Sequence, residues 1–107
     1  MLTRTAVFEG SFGPGGGARF FEGVEQRLAP LWRSFPHALD VRWFRMDEAD
    51  DDARAIVLIQ QIDYPSRAAM AEALTSPIRD QARAVTLELM QHLDGRFYHY
   101  ISEGGLR

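Results

Sequence analysis

The run Ala55-Ile56-Val57-Leu58-Ile59, continuing through Gln60 and Gln61 to Ile62, decides the fold. Apolar side chains occupy consecutive positions, so a strand built from it turns hydrophobic groups to both faces of its sheet. Such a strand belongs near the centre of a sheet, and each face then needs a cover.

Outward from this run the chain divides into six segments. Thr3 to Phe12 reads as a first strand, with Val7 and Phe8 in a β-prone stretch. Gly13-Pro14-Gly15-Gly16-Gly17 interrupts regular structure and reads as a mobile connector before a helix. From Ala18 to Phe35, the residues Phe21, Val24, Leu28, Leu31 and Phe35 recur at three- and four-residue steps, which predicts a helix. Pro30 predicts a kink inside it and Pro36 its end. Ala38 to Met46 alternates as a second strand, with Leu39, Val41, Trp43 and Arg45 on one face. The acidic stretch Asp47–Asp52 is a turn, and Ala55–Ile62 follows as the third strand. Ser66 is placed to cap a second helix. Ser76-Pro77 interrupts it and restarts a helical stripe of Ile78, Ala82, Val85, Leu89 and Leu93, with Gly95 as its C-terminal cap. Arg96 to Ser102 is the fourth strand, placing Phe97, His99 and Ile101 opposite Tyr98 and Tyr100, and Glu103–Arg107 is a short tail.

The order βαββαβ, closed with right-handed crossovers, gives the ferredoxin-like α+β arrangement: a four-stranded antiparallel sheet with two helices on one face. Two helices cover one face only. The second apolar face of Ile56–Ile59 therefore predicts a homodimer that joins sheet to sheet.

Length and composition bound what such a domain does. The 107 residues fit one domain, spanning 1–107. A net charge of −3, with twelve arginines scattered along the chain, gives no basic patch, so no nucleic-acid partner is expected. No apolar run is long enough to span a bilayer and no leader pattern opens the chain, so no membrane partner and a cytoplasmic location are expected. The absence of Cys excludes thiol nucleophiles and thiolate metal centres, and the absence of Lys excludes Schiff-base chemistry. No bound cofactor is expected. His37, His92 and His99 lack the spacing of metal ligands, so no metal site is expected either.

Three places carry a resemblance: the strand after Thr3, the helix ending Ala29-Pro30-Leu31, and Tyr64-Pro65-Ser66-Arg67-Ala68-Ala69-Met70-Ala71-Glu72-Ala73-Leu74-Thr75-Ser76-Pro77. The pattern is similar to that of the dimeric α+β barrel superfamily, and within it looks most like the EthD-type proteins. That resemblance implies a homodimer closed through its sheet faces. It also implies a ligand cleft between sheet and helices, and chemistry of the cofactor-free oxygenase, isomerase, cyclase or decarboxylase type on an apolar or aromatic metabolite. The same superfamily holds ligand sensors and accessory subunits, which is the alternative. Many EthD-like members place a histidine two positions before the helix proline; here that position is Leu28, so no catalytic histidine transfers there.

His99 is the candidate general base, its unperturbed pKa lying near neutrality, with interface packing as its other reading. Glu9 is the carboxylate of the first strand. Strands one and four are neighbours in this topology, so Glu9 and His99 form a candidate proton-transfer pair if strand parity places them on one face. Trp43, Trp32, Tyr98 and Tyr100 are candidates to line an apolar pocket, and Arg45 to bind an anionic oxygen.

Overall fold

The computed structural model describes residues 1–104. Its elements are β1 (Leu2–Phe12), α1 (Gly16–Gly23), a π-helical turn (Val24–Leu28), α2 (Ala29–Arg33), β2 (Asp40–Arg45), β3 (Ile56–Tyr64), α3 (Arg67–Leu74), α4 (Pro77–Leu89), a 3-10 turn (Met90–His92) and β4 (Leu93–Glu103). The strands form an antiparallel sheet in the order β2-β3-β1-β4. This is the ferredoxin-like α+β arrangement, with β3 central as its apolar run requires. Glu103 closes β4, and the Gly104 amide donates to the Met1 carbonyl at 3.1 Å. The remainder of the expected tail, residues 105–107, lies outside the described residues.

Cross-strand register fixes which side chains share a face. Ala6 of β1 lies opposite both Gln60 of β3 and His99 of β4. Residues directly opposite point the same way, and neighbours along a strand alternate. Leu2, Arg4, Ala6 and Phe8 therefore face the helices together with Leu58, Gln60, Ile62, Phe97 and His99. Thr3, Thr5, Val7 and Glu9 face away with Gln61, Asp63, Tyr98 and Tyr100. The pairing shifts between Phe8 and Glu9, where Leu58 and Ile56 are successive partners and Val57 is the extra residue of a bulge.

The core fills the helix face. Phe20, Val24, Leu28 and Trp32 come from the first helical stretch, Leu89 from α4, and Phe8, Leu58 and Ile62 from the sheet. Full burial of side chains of this size stabilises by about 1.5–3 kcal/mol each. On the open face Val7 is buried between neighbouring strands, whereas Phe44 and Tyr100 are 48% and 61% exposed.

The first helical stretch begins at Gly16, earlier than its apolar spacing predicts, because the glycine segment closes a turn. The Gly16 amide donates to the Gly13 carbonyl at 3.0 Å, and Gly15 adopts φ 74° at the cap. A side chain at Gly16 would press on the His92 carbonyl, so this segment is a packed turn rather than a loose connector. The irregularity expected at Pro30 takes the form of a π turn just before it. Pro30 has no N–H to offer the Gln26 carbonyl, and its ring crowds that same group. Widening the preceding turn relieves both, with the Ala29 amide reaching back to the Val24 carbonyl.

Ser66 and Ser76 cap as expected: their hydroxyl oxygens accept from the Ala69 amide at 3.1 Å and the Arg79 amide at 3.3 Å. The expected C-terminal cap at Gly95 is a correction. Helix α4 stops at Leu89, and Leu93 and Gly95 belong to β4, where Gly95 lies opposite Gly10. A Cβ on Gly95 would collide with the Glu9 carbonyl oxygen, and one on Gly10 with the Asp94 carbonyl oxygen. The two glycines let β1 and β4 approach at this point.

Candidate functional site

A cleft opens between the helix face of the sheet and helices α2 and α4. It holds about 480 Å³ of unfilled space, part of it open to solvent, with about 50 Å³ within reach of a water's centre. The sheet contributes Arg4, Ala6, Phe8, Gln60, Phe97 and His99, α4 contributes Arg79, Ala82, Arg83 and Thr86, and the end of the first helical stretch contributes Trp32 and Phe35. Strand alternation explains the sheet residues: each is in phase with Ala6. Helical spacing explains the others, since Arg79, Ala82, Arg83 and Thr86 fall at three- and four-residue steps along α4.

The walls are apolar and the polar groups are one-sided. Phe8 stacks on Phe97 with centroids 5.4 Å apart, and Phe97 meets His99 edge to face at 6.0 Å. Against this wall stand Arg4, Arg79 and Arg83, and no carboxylate lines the cleft among the described residues. None of the three arginines takes part in an ion pair among those residues. Arg79 and Arg83, one turn apart, repel by about 0.2–0.5 kcal/mol in an exposed helix, and Arg4 adds a third like charge. Desolvation and the nearby Arg79 charge lower the Arg4 pKa, with Tyr64 opposing. The Tyr64 hydroxyl is itself buried without a hydrogen-bond partner among the described residues.

His99 responds to this surplus of positive charge. Its pKa is lowered to about 4, first by desolvation and then by Arg4, Arg79 and Arg83. Its ring still has an exposed edge at the cleft mouth, so hydration opposes the first cause; the three guanidinium charges sustain the downward direction. At neutral pH the imidazole is therefore uncharged and offers one donor and one acceptor nitrogen.

Gln60 completes the site. It is 7% exposed, lines the cleft, and takes part in none of the side-chain hydrogen bonds among the described residues. Its amide is not sealed like the Tyr64 hydroxyl, so it meets whatever fills the cleft, water or a ligand.

The structure separates several residues that the sequence grouped. Glu9 and His99 sit on opposite faces, because Ala6 is the partner of His99 and Glu9 lies three positions further along β1. No dyad forms. Glu9 instead accepts a fork from Arg54, Nε at 2.7 Å and Nη2 at 2.8 Å, and a bond from Arg96 Nε at 2.7 Å. Those bonds lower its pKa to about 2, which leaves a poor proton acceptor. Tyr98 and Tyr100 stack edge to face at 5.6 Å on the open face, so neither lines the cleft. Arg45 lies over the Phe21 ring at 4.3 Å, and Trp43 packs on Trp32 at 5.9 Å behind the lining. Of the sequence candidates, His99 and Trp32 reach the cleft. Arg4, Arg79, Arg83 and Gln60 were missed, although Gln60 and Arg4 carry a signal: polar residues in phase with core positions of their strands.

The open face handles its charge differently. Arg42 Nη1 donates to Asp63 and to Asp40, each at 2.8 Å, and the Thr3 hydroxyl donates to Asp63 at 2.6 Å. Arg42, Arg54 and Arg96 are thus all paired. No helix of the described residues is long and apolar enough to cross a membrane.

No model of a known family matches the chain, and no curated protein matches it. Solved structures do. An ethyl tert-butyl ether D (EthD) family protein from Bacillus halodurans C-125 is 19% identical with a TM-score of 0.75, covering 98% of this chain and 99% of that one. A dimeric ferredoxin-like protein of unknown function from Jannaschia sp. CCS1 is 16% identical with a TM-score of 0.68, covering 96% and 98%. An antibiotic biosynthesis monooxygenase is 13% identical with a TM-score of 0.66, covering 99% and 100%. These likenesses show a ferredoxin-like fold shared end to end with proteins of the EthD and monooxygenase kinds.

Proposed function

We propose that this chain is a small-molecule-binding protein. A metabolite with an apolar or aromatic body enters the cleft between sheet and helices, and two copies pair through their open sheet faces. The observation that carries the reading is the cleft itself: beneath His99 lies unfilled space walled by Phe8, Phe97 and Trp32, where a purely structural domain packs side chains. Proteins sharing the fold include a monooxygenase and a dimeric protein, which is consistent with both halves.

His99 is the cleft's candidate for moving a proton, once a bound anion offsets the arginines that, after desolvation, lower its pKa to about 4. It is neutral at physiological pH, and its neighbours stabilise an anion rather than a cation. A second reading, a non-catalytic sensor or accessory subunit, draws on Leu28, which is completely buried at the position where EthD-like proteins carry their histidine.

Native mass spectrometry of freshly purified protein tests both halves, reporting subunit number and any retained ligand. Saturation-transfer NMR with benzamide then tests the cleft. The expected results are a dimer and a benzamide signal that disappears when Ala82→Trp fills the cleft. A monomer at micromolar concentration would sink the pairing. A benzamide signal unchanged by the filled cleft would sink the site.

A further inference from the structure

We infer that the cleft is a site for a small organic anion, a carboxylate on an apolar body, gripped by Arg4, Arg79 and Arg83 with the Gln60 amide as hydrogen-bond donor. This rests on the small-molecule reading above and names the class of ligand. Charge is distributed unevenly between the two faces. The chain carries more acidic than basic residues, with a net charge of −3. Its open face pairs Arg42, Arg54 and Arg96 with carboxylates at 2.7–2.8 Å. Yet three arginines from two elements, Arg4 on β1 and Arg79 and Arg83 on α4, line one cleft that no carboxylate among the described residues lines. A fold with acid to spare leaves this cluster uncompensated where an anion can enter.

A second observation is independent of charge. Gln60 is more than nine-tenths buried, lines the same cleft, and has no side-chain hydrogen-bond partner among the described residues, its amide being open to the cleft. Its N–H groups suit a carboxylate oxygen, while Phe8 and Phe97 suit a flat apolar body.

Proton uptake follows from the arrangement. The charged groups facing His99 are Arg4 from β1 and Arg79 and Arg83 from α4; β3 presents the neutral Gln60, and α2 presents the uncharged Trp32. Desolvation is the first cause of the lowered His99 pKa and the guanidinium charges the second, and an anion seated among those groups cancels the second. The imidazole then binds a proton as the ligand binds, and its charge adds to the grip.

The test compares benzoate with benzamide, an uncharged molecule of nearly the same shape, by calorimetry at constant ionic strength. Benzoate is expected to bind at least about tenfold more tightly at neutral pH. Arg79→Gln with Arg83→Gln should remove that preference. The double variant should also be no less stable to heat than the parent, because it relieves like-charge repulsion. At about pH 5.5, binding in buffers of different ionisation enthalpy should reveal proton uptake that His99→Gln abolishes. Equal binding of the two probes, or a benzoate preference that survives the double substitution, would overturn the anion assignment while the cleft reading stands. Competition by inorganic phosphate as effective as by benzoate would overturn the apolar body. Failure of both probes at millimolar concentration counts against the cleft reading itself.

Discussion

His99 and Glu9 lie on opposite faces of one sheet and make stability depend on pH in separate windows. His99 has a folded pKa of about 4 against an ordinary 6.5, so between those values the unfolded chain holds more protons. Stability is then fully present above about pH 6.5 and declines as the pH falls toward 4. Glu9 is lowered from 4.5 to about 2, so its contribution is present above about pH 4.5 and is lost as the pH falls through 2. Asp63, lowered by Arg42, acts in the same direction. Urea-unfolding midpoints measured across this range should therefore show two slopes. His99→Gln is expected to flatten the upper one alone, and Glu9→Gln to flatten the lower one while reducing stability at neutral pH. If His99→Gln leaves the upper slope intact, His99 is not the group that titrates in that window. Much of this was legible in strand parity: alternation alone places Phe97 with His99 and against Tyr98 and Tyr100. The arginine cluster was not legible. Arg79 and Arg83 border an apolar helical stripe, and only register and helix placement bring them against Arg4.

Helix and strand boundaries turn on a few residues whose role changes with their neighbours. Gly95 reads as a helix cap because it follows an apolar stripe of helical period, and Leu93 extends that stripe. What overrides the period is the 3-10 turn Met90–His92, which ends α4 and launches β4 early enough for Gly95 to face Gly10. Gly95→Ala is accordingly expected to destabilise by about 3 kcal/mol, since its methyl meets backbone that cannot swing aside. A cap glycine would lose less than half of that, so a chemical-denaturation measurement separates the two roles. The serine caps were legible because Ser66 and Ser76 each precede an apolar helical pattern; Ser76→Ala should cost about 1 kcal/mol. Pro30 was half legible. The sequence shows that the helix must yield there, while the π turn depends on Val24 and Leu28 both being held in the core, at 1% and 0% exposure.

At the scale of the whole molecule, the sheet separates two tasks. One face, under the helices, holds the cleft with positive charge that is unpaired among the described residues. The other pairs Arg42, Arg54 and Arg96 with carboxylates and leaves Phe44 and Tyr100 exposed beside Val7 and Ile59, which is a surface suited to a second copy. The pairing of Arg42, Arg54 and Arg96 matters here, because unpaired charges would oppose bringing two such faces together. Phe44→Glu with Tyr100→Glu places carboxylates on the outer strands of this face without touching the helix side. Sedimentation at micromolar concentration is expected to show the parent as a dimer and this variant as a monomer that retains its secondary structure. Because the cleft opens on the opposite side of the sheet, the dissociated variant should still prefer benzoate over benzamide. A variant that stays dimeric would place the interface elsewhere. A monomer that loses the anion preference would show that the two faces are coupled through the strands they share, most directly through β1, where Arg4 and Val7 point to opposite sides.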